Sequence, residues 1–184
     1  MSRVLYTSDT HFNHTFVAGT RGYETSEEHD EALIEAINTA THKRDHLWIL
    51  GDVFMGSITE GLKQVKRLNP ALHLVLGNHD GAHPLHRGSH NKLRRFLEGF
   101  ESVSLHEQHR IGGHKVNLSH FPYSGDHKEV DRYTQWRLPD EGIPLLHGHI
   151  HQLRVLDGHQ LNVGVDSGFS PWTQEDVARK LNLS

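Results

Sequence analysis

The run RVLYTSDTH, Arg3 to His11, decides the fold. Arg3 to Thr7 is a short β-branched, aliphatic and aromatic stretch that gives way to polar sequence, the pattern of a buried strand ending at a loop. Two more segments repeat the layout. HLWIL (His46 to Leu50) is followed by Gly51-Asp52, and LHLVL (Leu72 to Leu76) by Gly77-Asn78-His79-Asp80. Helical patterns separate the three runs. Between the first two, Thr25 and Glu28 form a capping-box pair, and Leu33, Ile37 and Ala40 recur at i, i+4 and i+7. Between the second and third, Ser57 and Glu60 repeat the capping signal, Ile58, Leu62 and Val65 form an apolar stripe, and Pro70 closes it. Strand, helix, strand, helix, strand implies right-handed crossovers and a parallel sheet core.

A further helix is expected over 91–100. After it the character changes. SVSLHEQHRI and HKVNLS flank Gly112 and Gly113, while LRVL and HQLNVGV flank Asp157 and Gly158, and both read as hairpins with two-residue turns. The expected fold class is therefore α/β. A mixed sheet in the first half and a hairpin-rich sheet in the second pack as a sandwich with helices outside, in a single domain over 1–184.

Composition narrows the function. The chain has 184 residues, no cysteine, 19 histidines and a formal net charge of −4. Disulfides and thiolate metal ligands are excluded. No stretch approaches the apolar length of a membrane span, and the first residues lack the layout of a signal peptide, so a soluble cytoplasmic protein is expected. An acidic chain has no field for tracking along a polyanion, and Lys63, Lys66 and Arg67, or Lys92, Arg94 and Arg95, read as solvated helix faces.

The histidines need a test before they carry an argument. Random placement of 19 in 184 gives about two His-x-His pairs, and the chain has two, both in LLHGHIH (Leu145 to His151). Spacing alone is uninformative; position is not. Asp9 and His11, Asp52, Asn78 with His79 and Asp80, His120, and His149 with His151 each follow a strand-like run. In open α/β sheets the crevice beyond the carboxyl ends of strands is where ligands bind. On an extended chain i and i+2 share a side, so Asp9 and His11 converge on one ion, and His149 and His151 each serve one of two. Asp52, alone in its loop after a glycine, is the natural bridge. His147 is read as structural. The other histidines, His14 among them, are assigned to surface or packing, with His83 and His86 also weighed as cleft residues because they follow GNHDG.

In order, Asp9-x-His11, Gly51-Asp52, Gly77-Asn78-His79-Asp80, His120 and Gly148-His149-x-His151 resemble the calcineurin-like metallophosphoesterase superfamily, from about Arg3 to Phe169. The likeness is to its small bacterial and bacteriophage members, with SDTHF near the start. It implies an αββα sandwich of two mixed sheets flanked by helices, and a two-metal phosphoesterase centre. By position, one ion takes Asp9, His11, Asp52 and His151, the other Asp52, Asn78, His120 and His149. His79 faces the substrate. The protein serine/threonine phosphatases of this superfamily carry GDxxDRG and GNHE, but here Asp52 is followed by VFMG and His79 by Asp80, which argues against protein phosphatase activity. Asn13 stands where the small members usually have glycine.

The activity this implies is hydrolysis of a phosphodiester. Two divalent ions, a hydroxide, Asp9 and Asp52 sum to a charge of about +1, suited to a monoanionic diester. Metal-bound hydroxide would attack in line, His79 would protonate the leaving oxygen, and Asp80 would orient His79. Small diesters such as 2′,3′-cyclic nucleotides are the leading substrates. The segment 121–142 offers Tyr123, Tyr133 and Trp136 for stacking and Lys128, Arg132 and Arg137 for phosphate or ribose. Mn²⁺ leads the candidate metals, with Fe, Co, Ni and Zn compatible with the same ligands. The alternatives are a monoesterase or nuclease on the same centre, and, in another class, a non-enzymatic His-rich metal buffer.

Overall fold

The computed structural model describes residues 2–153 and 155–183. Its first sheet has the order β10-β1-β2-β3-β4. β1 (Val4–Thr7), β2 (His46–Ile49), β3 (Ala71–Val75) and β4 (Ser102–Ser104) run parallel, and β10 (Trp172–Thr173) joins β1 antiparallel. The second sheet, β5-β6-β7-β9-β8, is also mixed: β6 (His114–Ser119), β7 (Leu145–His147) and β9 (Gln160–Asn162) are parallel neighbours, and β5 (His106–Ile111) and β8 (Leu156–Asp157) pair antiparallel at the edges. The expected α/β sandwich of two mixed sheets with flanking helices is what forms.

Side-chain alternation divides the core in two. Leu5, Leu47, Ile49, Leu72 and Leu74 face the helices, meeting Leu33, Ile34 and Ile37 of α2 (Ser26–Ala40), Leu62 and Val65 of α3 (Ile58–Val65) and Phe96 of α4 (Ser89–Phe96). Tyr6, Val75, Val116, Leu118, Leu146 and Leu161 fill the space between the sheets, where Val177 of α5 (Gln174–Lys180) joins them. On the outer face of the second sheet, Asn117 and Gln160 bond the segment that starts at Tyr123, so chain 121–143, rather than a long helix, covers much of that side.

Several details depart from expectation. Thr25 caps α2 through the Glu28 N–H, but the Glu28 carboxylate turns to the Glu24 N–H, leaving half a capping box. Ser57 makes no side-chain cap at α3. A full box forms instead at Thr173 and Asp176, opening α5. The stretch 102–111 is two strands in two sheets: β4 adds to β3, and the chain crosses at Leu105 to start β5. A three-residue strand completes the parallel edge, so the hydrogen-bond demand of β3 overrides the hairpin pattern. The Gly112-Gly113 turn holds as expected, with both residues at positive φ. The second turn shifts by one, to Gly158-His159 between Asp157 and Gln160. Arg154, within the expected strand LRVL, lies outside the described residues. Among the described residues no helix is long and apolar enough to cross a membrane.

Candidate metal centre

Because β1, β2, β3 and, in the other sheet, β6 and β7 run parallel, the loops that follow them gather at one edge of the sandwich. Backbone bonds join the first two loops: Asp9 N donates to Gly51 O (3.0 Å), His11 N to Asp52 O (3.0 Å) and Phe12 N to Val53 O (2.8 Å). Glycine makes the close approach feasible. A β-carbon on Gly51 would stand 2.6 Å from both Gly77 N and His120 Nδ1, and one on Gly148 would collide with Ser8 and Asp9.

The loops bring Asp9, His11, Asp52, Asn78, His120, His149 and His151 together, all buried except the half-buried His151. The extended-chain parity expected for them is not how they converge. Asp9, His11, Asp52, His149 and His151 all have positive φ, between 46° and 72° for all but His11 at 45°. The backbone curls at each so that neighbouring side chains turn into one crevice.

The donor spacing suits cations. His11 Nε2 and His151 Nε2 are 3.3 Å apart, His151 Nε2 is 3.8 Å from Asp9 Oδ1, and His11 Nε2 is 3.9 Å from Asp52 Oδ2. On the other side, His120 Nε2 is 3.4 Å from the same Asp52 oxygen and 3.2 Å from Asn78 Oδ1. Donors about 2.0–2.2 Å from one ion stand about 3–4 Å from each other. Two groups of metal-competent atoms therefore meet here, Asp9-His11-His151 and Asp9-Asp52-His120. His149 donates its backbone N–H to Asp9 and bonds Asp126 Oδ2 through Nε2 (3.2 Å), leaving Nδ1 as its other donor.

Electrostatics agree. Burial works against a charged His120, yet the carboxylates of Asp52 and Asp9, with further hydrogen bonding, raise it to about 9. Burial and the proximity of Asp52 likewise act to raise Asp9, against the pull of His151 and His120. Burial instead lowers His11 and His149, and neutral imidazole is the form that binds a metal, whereas at His120 and His151 the neighbouring carboxylates outweigh burial, a demand that divalent cations would also satisfy.

Three supporting residues escaped the sequence reading. Asp166 Oδ2 holds His151 Nδ1 at 2.9 Å, Arg21 binds Asp166 through two nitrogens (2.9 and 3.0 Å), and Arg21 also donates to Asp9 O (2.9 Å). Burial resists the charge on Asp166, but the bonds from His151 and Arg21 together hold its carboxyl below the usual range. Asp126, its side chain buried, collects His149, His127, Arg132 and Arg137. Nothing in the sequence marked these residues, since none stands at a strand end beside another ligand; only the fold puts them behind the histidines.

The remaining expected site residues are dispersed. His79 is at the cleft, 43% exposed, with Nε2 4.0 Å from Asp52 Oδ2 and its backbone N–H bonded to Asp52 Oδ1 (2.8 Å). Asp80 does not orient it. Both Asp80 oxygens accept backbone N–H groups, from Asp52, Val53 and Gly77, which ties the second ligand loop to the third. Burial and the charge of Asp52 raise Asp80 to about 7. Arg132 lines the cleft. His83 is buried beside Trp136 and Phe121, and His86 bonds Asn78 O. Tyr123 bonds Asn117 and Ile143 O on the back of the second sheet. His147 is buried on that same outer face and bonds Gly148 O. His14, expected at the surface, lines the cleft.

The sequence matches the model of the calcineurin-like phosphoesterase superfamily domain over residues 2–168. The chain belongs to that superfamily. It is 41% identical over 183 residues to the Gene 66 protein of Mycobacterium phage L5, covering 91% of this chain and 88% of the phage protein. To the Gene 66 protein of Mycobacterium phage D29 the identity is 37% over 194 residues, covering 99% and 97%. A crystal structure of a protein of unknown function from Aquifex aeolicus superposes with a TM-score of 0.75 at 21% identity, covering 98% of this chain and all of that one, and shares the fold. Metal-dependent phosphoester hydrolysis is the chemistry this calcineurin-like family brings, and the His/Asp cluster is where its divalent metals fit.

Proposed function

We propose that this chain is a phosphodiesterase acting on small diesters, with 2′,3′-cyclic nucleotides foremost, and that Asp9, His11, Asp52 and His151 hold one divalent ion while Asp52, Asn78, His120 and His149 hold the other. One observation carries the reading: a single oxygen, Asp52 Oδ2, stands 3.4 Å from His120 Nε2 and 3.9 Å from His11 Nε2, in the position of a shared ligand. Divalent ions bound there would supply Lewis-acid activation of water and neutralise phosphate charge. The protein residues do the rest. Asp80 and the backbone bonds between loops hold Asp52 rigid, so little reorganisation is needed as charge develops. Asp166 and Arg21 fix the ring of His151, and Asp126 fixes that of His149. His79, anchored through its backbone and open to the cleft, holds a proton for the departing oxygen.

The test compares kcat/KM for an aryl diester, the matching monoester, 2′,3′- and 3′,5′-cyclic nucleotides and single-stranded RNA under one metal condition. Diesters should lead. Preference for the monoester would refute the reading, and efficient RNA cleavage without cyclic-nucleotide turnover would make the protein a nuclease.

Two substitutions probe individual roles. His79→Ala should keep both metals and lose rate mainly on diesters with poor leaving groups, by roughly 10²-fold or more, because an activated phenolate needs little protonation. Equal losses on good and poor leaving groups would remove the acid role. Asp166→Asn should weaken Mn²⁺ binding about 10- to 100-fold while keeping the fold; calorimetric titration checks this, and an unchanged Kd would show that His151 needs no such partner.

A further inference from the structure

The cleft over the candidate metal centre has a volume of about 500 Å³ and two unlike lips. One is the short helix α1 (Thr15–Thr20) with the residue before it: His14, Phe16, Val17 and Thr20. The other is His127 and Arg132, held from behind by Asp126. None of the three rings expected to stack on a base lines the cleft: Tyr123 is on the back of the second sheet, Trp136 packs on His83, and Tyr133 packs on Phe121 and on the ring of His149.

Phe16 does line it. Among the described Phe, Tyr and Trp side chains it alone is exposed, at 74%. α1 already buries Val17 and Ala18, so its packing does not need the ring. A series of ring contacts runs from the ligand cluster to it: His151 to His11 at 5.0 Å, His11 to His14 at 5.3 Å, and His14 to Phe16 at 6.4 Å between centroids. His14 accepts the Val17 N–H through Nδ1, which fixes its ring as the floor of this lip. An exposed aromatic face beside the candidate metal centre, with the Asp126-paired guanidinium of Arg132 opposite, suits a ligand that is planar and apolar at one end and able to reach the centre with a charged group at the other.

We propose that the Phe16 lip receives a planar aromatic substituent of the phosphoester, so that Phe16 selects nucleoside or other aromatic esters over aliphatic ones. The proposal rests on the phosphoesterase reading and adds the recognition element to it. Binding separates the two. Mn²⁺-loaded wild type should bind adenosine 5′-phosphorothioate about tenfold or more tightly than inorganic thiophosphate, within the range of one stacked base. Phe16→Ala should lose most of that margin with thiophosphate affinity unchanged, and Phe16→Trp should restore it. In turnover, Phe16→Ala should raise KM for a nucleoside diester by a similar factor, with kcat within about twofold and a dialkyl diester unaffected. Thermal unfolding should be unaltered. Absence of the margin in wild type, including failure of both ligands to bind, or its survival in Phe16→Ala, overturns the proposal. If the margin behaves as expected but no ester is hydrolysed, the planar-ligand site stands and the phosphoesterase reading falls. If esters are hydrolysed without the margin, the reverse holds.

Discussion

Asp52→Ala is expected to lower diester turnover by roughly a thousandfold or more and to take the bound metal below two ions per chain. The carboxylate is engaged on both oxygens. Oδ1 accepts the His79 N–H, and Oδ2 faces His11, His120 and His79. Its loss leaves several imidazoles crowded together with less negative charge to hold a cation among them. The fold should survive, because the core strands and the Asp80 bonds to the Asp52, Val53 and Gly77 backbone do not depend on this side chain. Metal content by mass spectrometry, paired with kcat, is the check. Two ions and near-wild-type turnover would remove Asp52 from the centre. A stoichiometry well above two, indifferent to the substitution, would point to a histidine-rich metal buffer instead.

Removing metal from the wild type should be as severe. Activity is expected to fall to background in excess chelator and to return with Mn²⁺, since the chain has no cysteine nucleophile and the Asp52 carboxylate at the floor of the cleft repels a phosphate unless cations stand between them. The chelated protein should also melt earlier. A ligand at about a thousandfold its Kd stabilises the native state by about 4 kcal/mol. Full activity after confirmed metal loss would refute the mechanism.

The fold could be read where local pattern and burial agree. The runs at Val4, His46 and Ala71 are fully buried on the helix side and at least partly covered on the other, and therefore mostly apolar or aromatic, so they are legible as strands. β4 and β10, of three and two residues, are strands only because β3 and β1 need partners. The box at Thr173 was readable by the same rule that placed Thr25, but it lies beyond the segment of family resemblance. At the site, the strand-end residues converge as a group, whereas Asp126, Asp166, Arg21 and Phe16 come from segments whose proximity depends on the closed tertiary structure. Aromatic content drew attention to 121–142, but ring orientation is decided by packing: Trp136 found His83 and Tyr123 found Asn117.

The left-handed backbone at Asp9, His11, Asp52, His149 and His151 sets durability against purpose at five positions. Each such residue carries a conformational penalty on the order of 1 kcal/mol that glycine would escape. The side chains at Asp9, Asp52 and His151 offset it in part, because Asp9 accepts the His149 N–H, Asp52 accepts the His79 N–H and faces His120, and His151 bonds Asp166. Glycine at any of these three would free the turn and strand a buried partner, so the strain and the ligand set come as one piece.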